Sequence, residues 1–459
     1  MADSAAARAE VLYQRARDLH RQGELDQAIA CYEEALDAHA KPADVSNDLG
    51  VALRARNNPH AAIALYERAL SHDPNAADTW SNLGNARLQL GQVEAAVNAF
   101  RTARTLDPNE PDYMQNLGAG LRAARSFKQA EEQFEAAASA EPDRPAHQLN
   151  LGMMRLHQGK YRQGFEDYEA RLQMSQVERK DLEAPLWDGG DLDGRTLLVH
   201  AEQGLGDTIQ FSRFLIPLLE RVNGSVVGEV YEPLLRLFRS SFPLIEFVGG
   251  QESPPRHDVR VSIPSLPYML GVDAADLVPV SPYLQIDQKV RERAPQLPGT
   301  GRLKVGLTWA GKRTPIDRSC PFPLFLELAG VAGIDLYTLQ RGDDAADIAR
   351  HGASALIMDV TDQLVDFADD AAIMAQLDLM ISIDTSICHL AGALDSPCWT
   401  LLTGVADWRF LDDQTHTPWY PGMRLFRGAP GDDWGSIVAQ ARDALRAWVR
   451  NRASFHRMY

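Results

Sequence analysis

A short glycine-containing segment, residues 202–208, includes the residue with the clearest potential for catalysis. Gly204 and Gly206 would let the backbone approach a ligand closely, and a helix starting here would favour an anion at its N-terminus. If this turn lies at the carboxyl edge of a sheet and faces a cleft, Asp207 could deprotonate an acceptor hydroxyl. Aspartate is also common as a helix N-cap, which is the structural alternative. The segment predicts a turn of Gly204, Gly206 and Thr208 that binds an anionic ligand, with Asp207 as the candidate base.

The same segment is an incomplete dinucleotide-binding fingerprint. Ile209 stands where the third glycine of that motif belongs. An acidic residue, Glu229 or Glu232, does follow the next predicted strand, as a ribose-binding carboxylate would. A nicotinamide-dependent enzyme therefore stays open as an alternative.

A second segment, residues 382–389, joins an apolar strand to a helix. The backbone amides and hydroxyls of Thr385 and Ser386 are suited to a diphosphate at the helix N-terminus. Thr385 and His389 are four residues apart and share a helix face, so the imidazole could reach the same ligand. The alternative is an ordinary capped helix with a core histidine.

Cations follow a predicted strand that ends near Trp309, namely Lys312, Arg313 and Arg318. A cation facing the cleft could neutralise a leaving diphosphate, whereas a solvated loop is the alternative. Asp191 and Asp193 form a weak metal-binding match within a turn-forming stretch, which we interpret as turn chemistry. No cofactor and no metal site are expected.

The composition excludes several classes of protein. The 459 residues carry a net charge of −17, which disfavours nucleic-acid binding because phosphate contacts need a basic face. Their number indicates two or three domains. Neither a signal peptide nor a membrane-spanning segment is predicted. Four cysteines without metal-ligand spacing fit a reducing compartment, so a cytoplasmic location is expected.

The first part of the chain is an internal repeat. Leu-Gly pairs recur at 34-residue intervals, as do an alanine, a proline and an aromatic position. This is the period and pattern of tetratricopeptide repeats, which are helix pairs with small residues where the two helices touch. The pattern predicts an N-terminal α-superhelix.

One position of the repeat could bind a peptide. The residue before each Leu-Gly pair is Asp48, Asn82, Asn116 or Asn150. A fixed repeat position forms a line along one face of a superhelix, and an asparagine amide can pair with a peptide backbone. Protein O-GlcNAc transferases resemble this, with an asparagine ladder along their repeats. The alternatives are a solvated helix position or a contact that caps the neighbouring repeat.

The rest of the chain alternates strands and helices, which indicates doubly wound parallel sheets. Residues 281–302, rich in proline and charge, are predicted to connect two halves. A single longer sheet is the alternative. The predicted strands are Thr196–His200, Ser225–Val230, 304–309, 335–339, Leu379–Ile383 and Cys398–Leu402, and the predicted helices are 208–221, 233–240, 364–377 and 436–449.

Several ordered motifs together resemble bacterial tetratricopeptide–glycosyltransferase proteins, whose catalytic half is similar to heptosyltransferases. They are EQGLGDTIQFSRFL, GLTWAG, DLMISIDTSICHLAGALDSPCWTLL, DWRF and PWYPGMRLFR, and the resemblance covers about residues 159–427. It implies Asp207 as the base and a donor-binding Asp-Thr-x-x-x-His stretch at Asp384, Thr385 and His389. It also implies that Lys312 or Arg318 supports the leaving diphosphate, and that no metal is needed.

These inferences predict a tetratricopeptide array over residues 1–178 and a GT-B-type pair of Rossmann-like domains over 179–290 and 291–459. The expected activity is inverting, metal-independent transfer of a sugar from a nucleotide-sugar to a protein Ser or Thr hydroxyl. The protein acceptor, for which flagellin is a candidate, would be recruited by the repeats. The expected contacts to the nucleotide-sugar donor also include Gly204, Gly206, Thr208, Trp309 and Ser386. Two alternatives are a scaffold or chaperone with an inactive transferase half, and an enzyme acting on a glycan or lipid.

Overall fold

The computed structural model describes residues 2–38, 41–174, 183–250, 252–277, 282–313, 317–404, 406–412, 415–428 and 433–455. The chain divides into two compact units, Met1–Met154 and Arg155–Tyr459. This division precedes the predicted end of the array at residue 178, which falls outside the described residues. We describe each unit separately.

The first unit consists of paired helices. In three of these pairs, the glycine of the Leu-Gly motif faces the aromatic residue of the following helix: a Cβ on Gly84 would lie 2.5 Å from Phe100 Cε1. Gly50 and Gly118 face Tyr66 and Phe134 in the same way. The motif therefore exists because only glycine lets the two helices pack this closely. The helices are α1 Ala2–Arg21, α2 Leu25–Asp37, α3 Pro42–Ala55, α4 Pro59–His72, α5 Ala77–Gln89, α6 Val93–Leu106, α7 Pro111–Ala123, α8 Phe127–Ala140 and α9 Pro145–His157, the last crossing into the second unit.

The second unit contains two sheets. The first is parallel, with the order β3-β2-β1-β4. The second has the order β10-β11-β9-β8-β5-β6-β7 and is parallel except for β10. The strands are β1 Thr196–His200, β2 Ser225–Val230, β3 Glu246–Gly249, β4 Val259–Ser262, β5 Leu303–Thr308, β6 Ile334–Thr338, β7 Ile357–Asp359, β8 Leu379–Ile383, β9 Cys398–Leu402, β10 His416–Thr417 and β11 Tyr420–Arg427.

Helices connect and cover these strands. The expected helix over 208–221 is divided by a 3-10 turn, Ser212–Phe214, because Pro217 lacks an N–H and crowds the preceding turn. The helices are α10 Tyr161–Tyr168, α11 Leu205–Phe211, α12 Leu215–Arg221, α13 Leu235–Ser241, α14 Leu266–Met269, α15 Gln288–Arg293, α16 Phe322–Phe325, α17 Asp347–Arg350, α18 Phe367–Met374, α19 Ser386–Ala393 and α20 Trp434–Phe455.

The helix α10 packs into the second unit although its sequence continues the repeat. Phe165 contacts Phe211, Trp408 and Trp419 with ring-centroid distances of 6.0–6.4 Å. The buried Arg171 that follows α10 donates to both oxygens of Glu202, in the loop after β1. These contacts explain why the compact units divide before α10.

Candidate functional site

A cavity of about 1000 Å³ lies at the carboxyl ends of strands from both sheets of the second unit. In each sheet the strand order reverses beside a strand whose following loop enters this cavity, β1 in the first and β5 and β8 in the second. Such switch points are where open α/β sheets bind ligands. The lining residues are Ala201, Glu202, Gln203, Gly204, Leu205, Gly206, Asp207, Tyr231, Thr308, Ala310, Gly311, Lys312, Arg318, Leu339, Gln340, Arg341, Asp344, Phe367, Asp370, Asp384, Thr385, Ser386, Ile387, His389, Asp407 and Arg409.

Asp207 lies in the first turn of α11 and is held by two contacts. Its Oδ2 accepts from the backbone N–H of Gly204 at 2.9 Å, as a capping residue would. Its Oδ1 accepts from Nη2 of Arg409 at 2.5 Å, and its side chain is 25% exposed. The capping role therefore coexists with an oriented carboxylate at the cavity wall.

The two predicted loops meet at Gly206. A Cβ at this position would lie 2.9 Å from Cδ2 of His389 and 3.5 Å from Cα of Ser386. Gly206 therefore permits close packing of α11 against α19, a reason for this glycine that the sequence did not indicate.

Asp384, which lies just before the N-terminus of α19, forms an ion pair with Arg318. Burial raises the pKa of Asp384 to about 6, helped by the nearby Asp407 and opposed by Arg318. Burial also raises the pKa of Asp407, but the ion pair with Arg409 outweighs it, so that pKa lies below its usual range. The surroundings therefore favour the ionised form of Asp407 and disfavour that of Asp384.

His389 is a buried, neutral imidazole. Its Nδ1 lies 2.9 Å from the hydroxyl of Tyr420 and its Nε2 lies 3.8 Å from Oδ1 of Asp384. Burial, followed by the charge of Arg409, lowers the pKa of His389 to about 3. It therefore carries no positive charge at neutral pH, and would serve a ligand as a neutral hydrogen-bonding group.

Lys312 differs from the other cations of the lining. Arg318, Arg341 and Arg409 each have a carboxylate partner. Lys312 is exposed and forms no ion pair within the described part of the chain. It is therefore available to an anion without the loss of an internal contact. Thr385 and Ser386, also predicted to bind the donor, are partly exposed in the lining.

Two predicted donor contacts do not line the cavity. The Trp309 side chain is 1% exposed, lies in the core against Phe322, and donates to Asp347 at 3.2 Å. Because side chains alternate along an extended chain, it faces away while Thr308 lines the cavity. Thr208 is fully buried, and its hydroxyl donates to the carbonyl of Gly204. Both side chains therefore contact other residues of the protein and do not face the cavity.

The sequence reasoning missed Arg409, Arg341 and Asp370. Asp370 lies in α18, accepts from Arg341 at 2.8 Å, and is fully buried. Its Oδ2 has no hydrogen-bond partner among the described residues. Burial raises the pKa of Asp370 to about 6, although Arg341 opposes this. An aspartate on the apolar helix α18 was the available signal.

Asp384, Cys388 and His389 place three potential metal-ligating atoms within 4.8 Å of one another. Asp384 is already paired with Arg318, and Cys388 Sγ donates to the carbonyl of Thr385. The cations that lower the pKa of His389 include Arg409, Arg318 and Arg213. A metal ion bound by these three atoms would have to displace the contacts of Asp384 and Cys388 and lie near these arginines.

The four ladder residues of the first unit are partly exposed. The amides of Asn82, Asn116 and Asn150 donate to Asn47, Ser81 and Gln115, each 35 residues earlier, at 2.8–3.0 Å. Asp48 accepts from the hydroxyl of Tyr13. The side chains thus bridge neighbouring repeats, as in the capping alternative. Peptide binding through the carbonyl oxygens of the asparagine side chains stays a prediction.

Comparisons with known proteins confirm the repeats. Tetratricopeptide repeat families match residues 47–111, 116–175 and 7–75. Protein FlbA of Caulobacter vibrioides is 28% identical over 299 residues, which cover 60% of this chain and 50% of FlbA. The chain thus spans about half the length of that relative.

The similar solved structures cover a smaller part of this chain than FlbA does. PilF of Pseudomonas aeruginosa is 23% identical with a TM-score of 0.34, covering 38% of this chain and 77% of PilF. MamA from Desulfovibrio magneticus RS-1 is 16% identical with a TM-score of 0.33, covering 36% of this chain and 93% of MamA. The described helices include none long and apolar enough to cross a membrane. Tetratricopeptide repeats typically bind proteins, so the array indicates a protein-interaction function.

Proposed function

We propose that the second unit is a GT-B-type glycosyltransferase that acts on a protein bound by the repeats. The observation that carries this proposal is one cavity that contains an oriented carboxylate, Asp207, and a cation, Lys312, that has no ion-pair partner among the described residues. A base and a cation facing the same space are what transfer from a nucleotide-sugar to a hydroxyl requires. The repeat array supports a protein as the acceptor.

In the proposed reaction, Asp207 takes the proton of a Ser or Thr hydroxyl as its oxygen bonds to the anomeric carbon of the sugar. The bond from that carbon to the diphosphate breaks, and its electron pair leaves with the diphosphate. Lys312 neutralises the charge that develops on the leaving group. Arg318 assists once it has left its ion pair with Asp384 and bound the leaving group. Attack opposite the leaving group inverts the anomeric centre, and the step needs no metal.

The donor contacts would come from the N-terminal end of α19 and the loop after β5. Thr385 and Ser386 present backbone amides and hydroxyls beside Asp384 and His389. The donor base and sugar stay open among ADP-heptose, a UDP-hexosamine and a CMP-linked nonulosonic acid. For the last of these donors the leaving group would be the monophosphate CMP instead of a diphosphate.

A protein-binding scaffold with an inactive transferase half is the second candidate. It is favoured by the repeat matches and by internal ion pairs that occupy Arg318 and Arg409 in the cavity. A glycan or lipid acceptor is the remaining alternative. The three hypotheses make different predictions. An inactive scaffold binds no nucleotide, and the two enzymes differ in whether a protein or a glycan or lipid is modified.

Nucleotide binding tests the proposal first. We expect one of ADP, UDP or CMP to bind in calorimetric titration. We expect Lys312→Ala to weaken binding of that nucleotide by about tenfold, the loss of one charge-assisted contact. Lys289→Ala, which removes an exposed lysine outside the cavity, is the matched control. Failure of every nucleotide and nucleotide-sugar to bind would favour the scaffold.

Mass spectrometry of a protein co-purified with the chain tests the acceptor and gives the sugar mass. We expect a glycosylated Ser or Thr when the wild-type chain is present and none with Asp207→Asn. Transfer by Asp207→Asn at the wild-type rate would contradict the assigned base, and modification of a glycan or lipid alone would contradict the protein acceptor.

A further inference from the structure

Arg409 connects the segment after β9 with α11, which carries Asp207. It lies in a 3-10 turn, Trp408–Phe410, and its side chain is 8% exposed. Its partners on α11, Asp207 and Gln210, lie about 200 residues earlier in the sequence, so these contacts form only in the folded unit.

The guanidinium group is held from several sides. Its Nη1 donates to Asp407 at 2.8 Å, and its Nε donates to Oε1 of Gln210. Its carbon lies 4.3 Å from the ring centroid of Trp408. A buried arginine with this many directed contacts has one orientation available, because a planar fork must satisfy each partner at once.

This fixed group determines the orientation of Asp207. A helix cap needs one carboxylate oxygen, and Gly204 already bonds Oδ2. The contact from Nη2 to Oδ1 fixes the second oxygen, and therefore the plane of the carboxylate. Each oxygen keeps a further lone pair that can accept a proton or hydrogen bond.

We propose that Arg409 is a positioning residue that holds the carboxylate of Asp207 in the orientation needed to deprotonate the acceptor. This inference rests on the proposed function. If Arg409 acts in this way, the rate depends on the planar, three-donor shape of the group at position 409 as well as on its charge. Lysine keeps the charge but cannot make the three directed contacts together.

The test compares Arg409→Lys and Arg409→Gln with the wild-type chain in a transfer assay, using the donor and acceptor that nucleotide titration and mass spectrometry identify. We expect kcat to fall at least about tenfold in Arg409→Lys and further in Arg409→Gln, within the range a general base contributes. We expect the KM for the donor and the affinity for the nucleotide product to change by less than about threefold, since Arg409 does not contact the diphosphate in this assignment.

Arg213→Lys is the matched control. Arg213 is also buried, stacks on Trp419 and donates to its carbonyl, but does not contact Asp207. We expect it to lower thermal stability without the fall in kcat. Wild-type kcat in Arg409→Lys, or a parallel loss of kcat and nucleotide affinity, would overturn the positioning role. Absence of transfer by the wild-type chain would instead overturn the proposed function, and this role with it.

Discussion

At the scale of single residues, the charges of the cavity are arranged largely as internal pairs. Arg318 pairs with Asp384, Arg341 pairs with Asp370, and Arg409 pairs with both Asp207 and Asp407. Burying such charges is costly unless they are paired, and each pair restricts which group can respond to a ligand. Among the cations that line the cavity, Lys312 is the one that can bind an anion without breaking an ion pair between described residues.

The buried Asp370 should make stability depend on pH. Its pKa of about 6 in the folded state exceeds the value of about 3.9 expected in the unfolded chain. The folded state therefore binds more protons between these values, and stability falls as the pH rises from about 4 through 6. Asp370→Asn removes this loss, so we expect it to stabilise the chain by about 1–3 kcal/mol more at pH 8 than at pH 4.

Urea unfolding at both pH values measures this difference, with the exposed Asp143 changed to Asn as the control. An equal effect of Asp370→Asn at pH 4 and pH 8 would show that its carboxyl titrates alike in the folded and unfolded chain.

At the scale of elements, glycines decide how closely helices pack. In the repeats, Gly50, Gly84 and Gly118 lie against aromatic rings, and Gly206 lies against His389 in the second unit. The same residue type therefore builds both the array and the junction of the two loops, through the absence of a side chain.

Gly84→Ala should destabilise the first unit. Its Cβ would lie 2.5–2.9 Å from the ring of Phe100, so the helices α5 and α6 must separate. We expect a loss of about 1–3 kcal/mol, as for other overpacked cores. Gly330→Ala, where nothing lies within 4 Å of the new Cβ, is the control for a change of glycine to alanine. Equal midpoints of thermal unfolding for the two variants would contradict this packing.

At the scale of the whole molecule, the sequence repeat and the compact units end at different places. The repeat pattern is matched as far as residue 175, whereas the second unit begins at Arg155. The helix α10 thus has the sequence of a repeat and the packing of the second unit. Its aromatic residues enter a core shared with Trp408 and Trp419, and Arg171 after it neutralises the buried Glu202.

Two fragments distinguish these boundaries. We expect residues 155–459 to unfold cooperatively in urea. We expect residues 179–459 to be destabilised by at least about 3–5 kcal/mol, because they lose Phe165 from the core shared with Trp408 and Trp419 and the ion pair of Arg171 with Glu202. The longer fragment should also bind the same nucleotide as the full chain while losing transfer to the protein acceptor. Equal urea midpoints for the two fragments would show that α10 and Arg171 contribute nothing to the second unit.

Local sequence determined much of this protein. The 34-residue interval fixed the repeat array because each repeat contacts only its neighbours. Strands β1, β2, β8 and β9 were predicted with their observed bounds. Buried strands can be recognised in a sequence because they are short apolar runs between turns. The short strands β3, β4 and β7 were missed, because three or four residues give too little pattern.

Only the tertiary structure decided which candidate groups work together. It brought Asp207, Lys312, Arg318, Ser386 and His389 to one cavity, and it removed Trp309 and Thr208 from it. It also supplied Arg409, which meets Asp207 from 202 residues away. Local propensities fix an element and its caps, but the direction of a side chain and its distant partners depend on how the two sheets pack. The sequence by itself therefore determined the repeats and the loops, and packing determined the site.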